Sequence, residues 1–480
     1  MTKEELIDVL NEIQRNRCET GTLELKAAET GCPKRLYDTL SSFSNQDDGG
    51  IIVFGVDETR NYLECGVYDP QDIQKKINEQ CLQMSPIVRP LLTVVEKENK
   101  FFIAAEIPAI DISERPCYYM GKGMVKGSYV RVGDSDEPMT EYEIYSYEAF
   151  RKKYQDDIRI VQRAAYSVLD QTLLETYLLK LKSEKPNLSS LPDENIRELM
   201  SITADGKVTL SSLMLFSRYP QAFFPQLCIT AVSVAGDEIG EIGESGERFI
   251  DNRRIEGNIP QMLDEALIFV RKNMKIKTVI SPKTGKREDI PEYPLTAVRE
   301  ILLNALVHRD YSIHTEGMPI QIRMLQNRIE IQNPGGIYGR LRIDQLGKAQ
   351  PDTRNPVIAT VLEVMGLTEN RYSGIPTIRR VMKEYHLPDP VFTDERGSFM
   401  VTLYNSKEEN LDVYNNDLLR FLETPRTRRE IADFLKVRTT GYAIQKYIDP
   451  LIKKGIVVYT IPEKPKSSDQ RYVLKNGTGY

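Results

Sequence analysis

The chain has 480 residues, 40% of them hydrophobic and 28% charged, with a formal net charge of −6. That length exceeds one hydrophobic core and predicts roughly two to four domains, while the composition excludes a disordered or collagen-like chain. No apolar run reaches the ~18 residues of a membrane span, and the opening Met1-Thr-Lys-Glu-Glu-Leu6 lacks the apolar core of a signal peptide, which predicts a cytoplasmic protein.

Six cysteines occur without a Cys-x-x-Cys pair, and His308, His314 and His386 have no cysteine nearby in sequence, so neither a disulfide framework nor a zinc site is expected. Charge is unevenly spread. Residues 411–480 hold 13 Lys/Arg against 8 Asp/Glu, so only the tail carries the basic bias that phosphate contacts need.

Residues 1–147 read as α+β. An amphipathic helix opens the segment, a strand follows at 23–26 and a helix at about 33–45, and the turn Asp47-Asp-Gly-Gly50 introduces an apolar strand at 51–56. Further strands are expected at 91–96, 101–107 and 128–132. Residues 148–293 read as a connecting region with helical periodicity at 157–182 and 258–272. A second α+β unit follows at 294–404. Helices at about 418–422, 427–435 and 443–454 and strands at 456–461 and 471–474 then give 411–480 the order of a winged helix-turn-helix.

Glu24 and Lys26 stand two apart on a strand and so share a face, where a carboxylate and an ammonium can hold a metal ion and a phosphate. Asp57 follows a buried strand, in a loop position that leaves its side chain accessible. The stretches Glu19-Thr-Gly-Thr-Leu-Glu-Leu-Lys26, Ser41-Ser-Phe-Ser-Asn45, Gly49 to Asp57 and Gly127 to Gly133 together resemble the Schlafen/AlbA-like domain, in order over about the first 140 residues. The resemblance implies a nucleic-acid-binding domain, DNA or RNA, and in its nuclease members a three-carboxylate metal site. Glu19, Glu24 and Asp57 match those three positions, with Lys26 positioning the phosphate. The alternative for these side chains is a solvated strand face. Arg131 and Lys126 are candidate contacts to a nucleic-acid backbone, the alternative being that isolated basic residues only solubilise the surface.

Glu300 and Asn304 lie four apart on one helix face. The segment Pro294 to Tyr311 resembles the N-box helix of GHKL ATPases, in the divergent version of RecG-related and Schlafen-domain regulators. That resemblance implies ATP and Mg²⁺ as cofactors, Asn304 as metal ligand and Glu300 as the residue that orients a water. Asn333 stands where the wider superfamily has an adenine-reading Asp, followed by Gly335 and Gly336 in a tight turn. An amide offers a base edge a different donor and acceptor pattern from a carboxylate. Arg354-Asn-Pro356 with Ser373 and Gly374 resembles the phosphate lid, departing from it in Tyr372, which replaces a glycine.

In the tail, Arg438, Thr439, Thr440, Tyr442 and Lys446 lie near the start of the third helix, which would enter a major groove, and Lys464 and Lys466 sit on the wing, the alternative being a protein-docking or dimerisation module. The expected architecture is thus α+β and multi-domain: a Schlafen/AlbA-like domain, a helical connector, a GHKL-like α/β sandwich and a winged helix. Three functions fit it. They are an ATP-responsive nucleic-acid-binding regulator, a metal-dependent RNase or DNase gated by the ATP domain and plausible in antiphage defence, and an interaction scaffold with inactive sites. A homodimer is expected from the way such domains pair.

Overall fold

The structure is a computed structural model that describes all residues except 242–245, 281–286, 369–372, 396, 407–417, 436–439, 454–455, 462–469 and 476–480. Tyr372, Arg438, Thr439, Lys464 and Lys466 lie outside the described residues, as do the side chains of Tyr442 and Lys446. The chain divides into two compact units, Met1–Arg151 with Leu411–Tyr480, and Lys152–Asn410. Its secondary structure is mixed α+β throughout.

In the first unit a capping box of Thr2 and Glu5 starts the helix Lys3–Asn16, and Leu6, Leu10 and Ile13 form its buried stripe. The strand Leu23–Lys26 pairs in parallel with Gly50–Phe54, which pairs antiparallel with Lys100–Ile107 and through it with Leu91–Lys97. The N-terminal helix covers one face of this sheet around Leu25, Val53 and Phe102. The helices Tyr37–Asn45 and Pro70–Cys81 cover the other around Phe43, Ile52 and Ile103. Gly49 is required where it stands, because its φ is +64° and a Cβ there would meet the Ile107 carbonyl oxygen at 2.4 Å.

The helix Tyr37–Asn45 is buried from Thr39 onward despite its serines and asparagine. Ser41 and Asn45 are satisfied by backbone groups, while Thr39 and Ser42 donate to the Asp136 carboxylate. Ser41 Oγ donates to the Cys117 carbonyl at 2.7 Å and accepts from the Tyr129 amide at 2.8 Å. The Asn45 carboxamide donates to Cys117 O and Tyr129 O and accepts from Cys117 N. Buried polar side chains satisfied in this way fix the helix against the strand Tyr129–Val132.

The tail residues run helix 418–421, a short strand Arg426–Thr427, helix Arg428–Phe434, helix Thr440–Ala443 continuing through a π-helical turn Ile444–Ile448 into Asp449–Lys453, then strands Val457–Tyr459 and Arg471–Leu474. The three strands form one sheet with Arg471–Leu474 in the centre. Leu418, Leu422, Ile431, Ile448, Leu451 and Tyr472 make a core of their own.

The second unit is built on a six-stranded sheet in the order Asp251–Ile255, Ile229–Ser233, Ile320–Met324, Arg328–Pro334, Ser398–Tyr404, Val391–Glu395. Neighbours are antiparallel except for Ile229–Ser233 beside Ile320–Met324. The expected boundary at 294 falls inside this unit. Two strands of the sheet and the helix Ile259–Asn273 come from the expected connector, and one continuous core runs from Val161 to Leu403. The sheet needs those upstream strands as neighbours, and pairing between segments far apart in sequence leaves no local trace. The expected helix over 157–182 begins only at Gln171, where the Asp170 side chain accepts from the amides of Thr172 and Leu173, and residues before it form two 3₁₀ turns.

Candidate functional site

The helix Leu295–His308 is buried on most of its surface, which leaves Glu300, Asn304 and His308 in a row at four-residue spacing along one half-exposed edge. That edge forms one wall of a cavity of about 530 Å³. Its floor is the sheet at Ile331, Asn333, Phe399 and Val401, and it is closed by the segment after Gly335 and the start of the helix Gly374–Glu384. Glu300, Asn304, Asn333, Gly335, Gly336, Ser373 and Gly374, drawn from three separate sequence segments, all line this one space.

Gly374 lies against the carboxylate and the amide. A Cβ there would stand 3.2 Å from both Asn304 Nδ2 and Glu300 Oε2, so glycine lets the helix start close to this pair. Asn333 is buried, and its side-chain oxygen has no hydrogen-bond partner among the described residues. A buried acceptor left unmatched costs about 1–3 kcal/mol, so it marks a place where a ligand donor would be rewarded.

Beneath the glycine turn lies an ion pair that the sequence reading gave no role. Arg354 Nη1 is 2.7 Å from Asp310 Oδ2, and both side chains are buried. Arg354 also donates to the Gly336 carbonyl at 3.2 Å, and Asp310 accepts from the Ser312 amide at 2.8 Å. Gly335 has a φ of +100°, and a Cβ on it would be 2.6 Å from Arg354 Nη1 and 2.7 Å from Asp310 Cβ. His308 was missed as well, although its spacing from Asn304 was a usable signal. Burial first, and then the charge of Arg354, push its imidazole down to about 4, which leaves it neutral at pH 7.

In the first unit the expected carboxylate set is only partly assembled. Glu24 is buried, makes an ion pair with Lys26, and lies 2.9 Å from Arg131 Nη2. Glu19 accepts from the Leu25 amide at 2.6 Å, and burial, followed by the charge of Glu24, pushes its carboxyl up to about 7. Asp57 is engaged elsewhere. It accepts from Thr59 and Arg60, and these hydrogen bonds hold it down to about 2. Among the described residues no group of three such side chains is placed to hold a metal ion. The Asp57 side chain caps the 3₁₀ turn Glu58–Arg60.

The expectation that Arg131 tracks a nucleic-acid backbone also needs correction. Its side chain is 2% exposed and is held by Glu24 and by Asp136 at 3.0 Å, over the Phe43 ring. In the tail, Thr440 begins its helix as expected from sequence and is exposed.

Residues 19–140 match the family model "Schlafen, AlbA_2", and residues 317–403 match "Putative ATP-dependent DNA helicase recG C-terminal". The chain thus joins a Schlafen-type AlbA_2 domain to an ATPase-like domain of the RecG C-terminal family. Residues 415–475 match the C-terminal domain of the Fic-like proteins, described as filamentation induced by cAMP. Among solved structures, the DIP2311 protein from Corynebacterium diphtheriae is 18% identical with a TM-score of 0.40, over 98% of this chain and 97% of that one. The N-terminal domain of a "Putative ATP-dependent DNA Helicase RecG-related Protein" from Nitrosomonas europaea is 26% identical with a TM-score of 0.22, over 29% of this chain and 94% of that one. No curated protein matches. The two domain matches support a nucleic-acid-associated, ATP-binding protein. No helix among the described residues is long and apolar enough to cross a membrane.

Proposed function

We propose that this protein is an ATP-responsive, nucleic-acid-binding regulator whose nucleotide site is the cavity beside the helix Leu295–His308. The observation that carries the reading is that seven residues picked out from separate motifs line one cavity, and that one of them, Asn333, presents a buried oxygen without a partner. The residues fit a nucleotide. Asn333 would accept from the exocyclic amine of an adenine. Asn304 would offer its carboxamide oxygen to the Mg²⁺ that accompanies the triphosphate, and Glu300 would hold a water. The amides at the start of the helix Gly374–Glu384, together with Arg380, would face the phosphates. Bound Mg²⁺ supplies charge neutralisation on the phosphates.

On this reading the AlbA_2 domain and the tail contact nucleic acid. The helix–strand–helix–helix–strand–strand order of the described tail residues supports a winged helix, and the proposed nucleic-acid contacts are Arg438, Thr440, Tyr442 and Lys446 for a groove and Lys464 and Lys466 for phosphates. Organisation into an N-terminal domain, a nucleotide-binding unit and a tail, and assembly as a homodimer, belong to the same proposal.

Thermal unfolding with millimolar MgATP tests it, since a ligand that binds only the native state raises stability by mass action. The wild type should shift upward, Asn304→Ala should lose the shift, and Glu300→Ala should keep most of it. No shift in a folded wild type would sink the nucleotide reading.

A further inference from the structure

A surface of the AlbA_2 domain combines stacked aromatic rings with a cluster of cations. Tyr37, at the start of its buried helix, stacks on Tyr119 with ring centroids 4.5 Å apart and planes within 12°. Both rings are only half-buried. The Lys122 ammonium stands 4.6 Å from the Tyr37 centroid and bonds the Tyr129 hydroxyl at 3.2 Å, and the Arg35 guanidinium lies 5.3 Å from the Tyr37 centroid. Gly121 makes room for the stack, because a Cβ on it would be 2.5 Å from Tyr119 Cζ.

The charge around the rings is predominantly positive, with Asp38 the acidic side chain paired there. Neither residues 30–37 nor residues 115–133 contain an acidic side chain, in a chain whose net charge is −6. Lys34, Arg35, Lys122 and Lys126 are exposed. Arg35 leans on Asp38, whereas Lys34 and Lys126 have no ion-pair partner among the described residues. Met120 and Val125 beside them are 53% and 58% exposed, although apolar.

We propose that this patch is a platform for single-stranded nucleic acid, with unpaired bases against Tyr37, Tyr119 and the neighbouring apolar side chains and the phosphates along Lys34, Arg35, Lys122 and Lys126. Aromatic and apolar surface flanked by cations suits a strand whose bases are unstacked and available. A duplex hides its base faces within the stack, so the rings would have nothing to stack on. The proposal rests on the reading that this domain contacts nucleic acid, and it adds the strand form and the residues that select it.

The test is fluorescence anisotropy of the full-length protein with labelled oligouridylate and oligothymidylate longer than the ~16 nucleotides such a site spans, and with a duplex of equal length. The wild type should bind both single strands more tightly than the duplex. The triple variant Arg35→Ala, Lys122→Ala, Lys126→Ala should lose single-strand affinity on the order of tenfold or more, and its salt dependence should flatten by about two in the log–log slope, from about 0.7 per lost phosphate contact. Tyr119→Leu should weaken single-strand binding several-fold and leave duplex binding unchanged. Should that variant fail to fold, the triple variant, confined to exposed side chains, still decides. Full affinity in the triple variant, or equal losses for single strand and duplex, overturns the platform while nucleic-acid binding stands. A wild type that binds none of the three overturns the nucleic-acid reading together with it, and neither result touches the MgATP test.

Discussion

Arg131 Nη2 lies 2.9 Å from Glu24 Oε2 and Nη1 lies 3.0 Å from Asp136, with the arginine side chain 2% exposed. Two carboxylates thus hold one buried guanidinium, and Asp136 in turn accepts from Thr39 and Ser42 on the central helix. Removing Glu24 leaves the buried guanidinium only Asp136 and loses a charge-assisted hydrogen bond, a loss of about 1.5–3 kcal/mol. Glu24→Ala should therefore lower stability by that order in urea unfolding, and Asp57→Ala, whose partners are local, by clearly less. Equal losses would contradict the structural role of Glu24.

Asn333 gives a prediction in which binding and stability part company. Asn333→Leu keeps the branched shape of the buried side chain, at somewhat larger volume beside a cavity, and removes its unmatched oxygen, so the nucleotide-free protein should lose little stability. Affinity for ATP should fall by on the order of tenfold through the lost base contact. Calorimetric titration with ATP and a melting curve without it check both halves. Retained affinity would move the base away from Asn333.

Gly335→Ala should destabilise the second unit by about 1–3 kcal/mol, because φ there is +100° and the added methyl falls on Arg354 and Asp310. Gly374→Ala has ordinary backbone angles, and its new methyl would press only on Glu300 and Asn304. It should cost little stability and weaken the MgATP-induced thermal shift. The reverse pattern would show that Gly374 is structural.

Asp157 caps the helix Pro356–Met365 by accepting from the amides of Val357 and Ile358, and burial pushes its carboxyl up to about 6. The folded state therefore holds a proton that the unfolded chain releases near pH 4, and stability falls as pH rises from about 4 to about 6, by roughly 2–3 kcal/mol. Asp157→Asn should flatten urea stability over that interval. Glu19, pushed up to about 7, adds a decline of the same sign in the other unit, and Glu19→Gln separates the two. A wild type whose stability rises steadily from pH 4 to 7 would contradict both.

Local signals were legible in the sequence wherever one segment carried its own rule. The amphipathic stripe of the first helix, the helical periodicity at 258–272 and the Glu300–Asn304 spacing depend only on residues close together in sequence. Motif order likewise pointed to both domain families. What only the tertiary structure decided depends on contacts between distant segments. The strands at 229–233 and 251–255 join a sheet whose other members lie beyond residue 319, so the boundary at 294 could not be drawn from periodicity. Glu24 on its strand and Asp57 in the loop after another were expected to converge, yet Asp57 turns to its own cap and Glu24 is buried against Arg131. Arg131 reads as a surface cation until residues 24 and 136 close around it, because burial is set by chain packing and not by residue type.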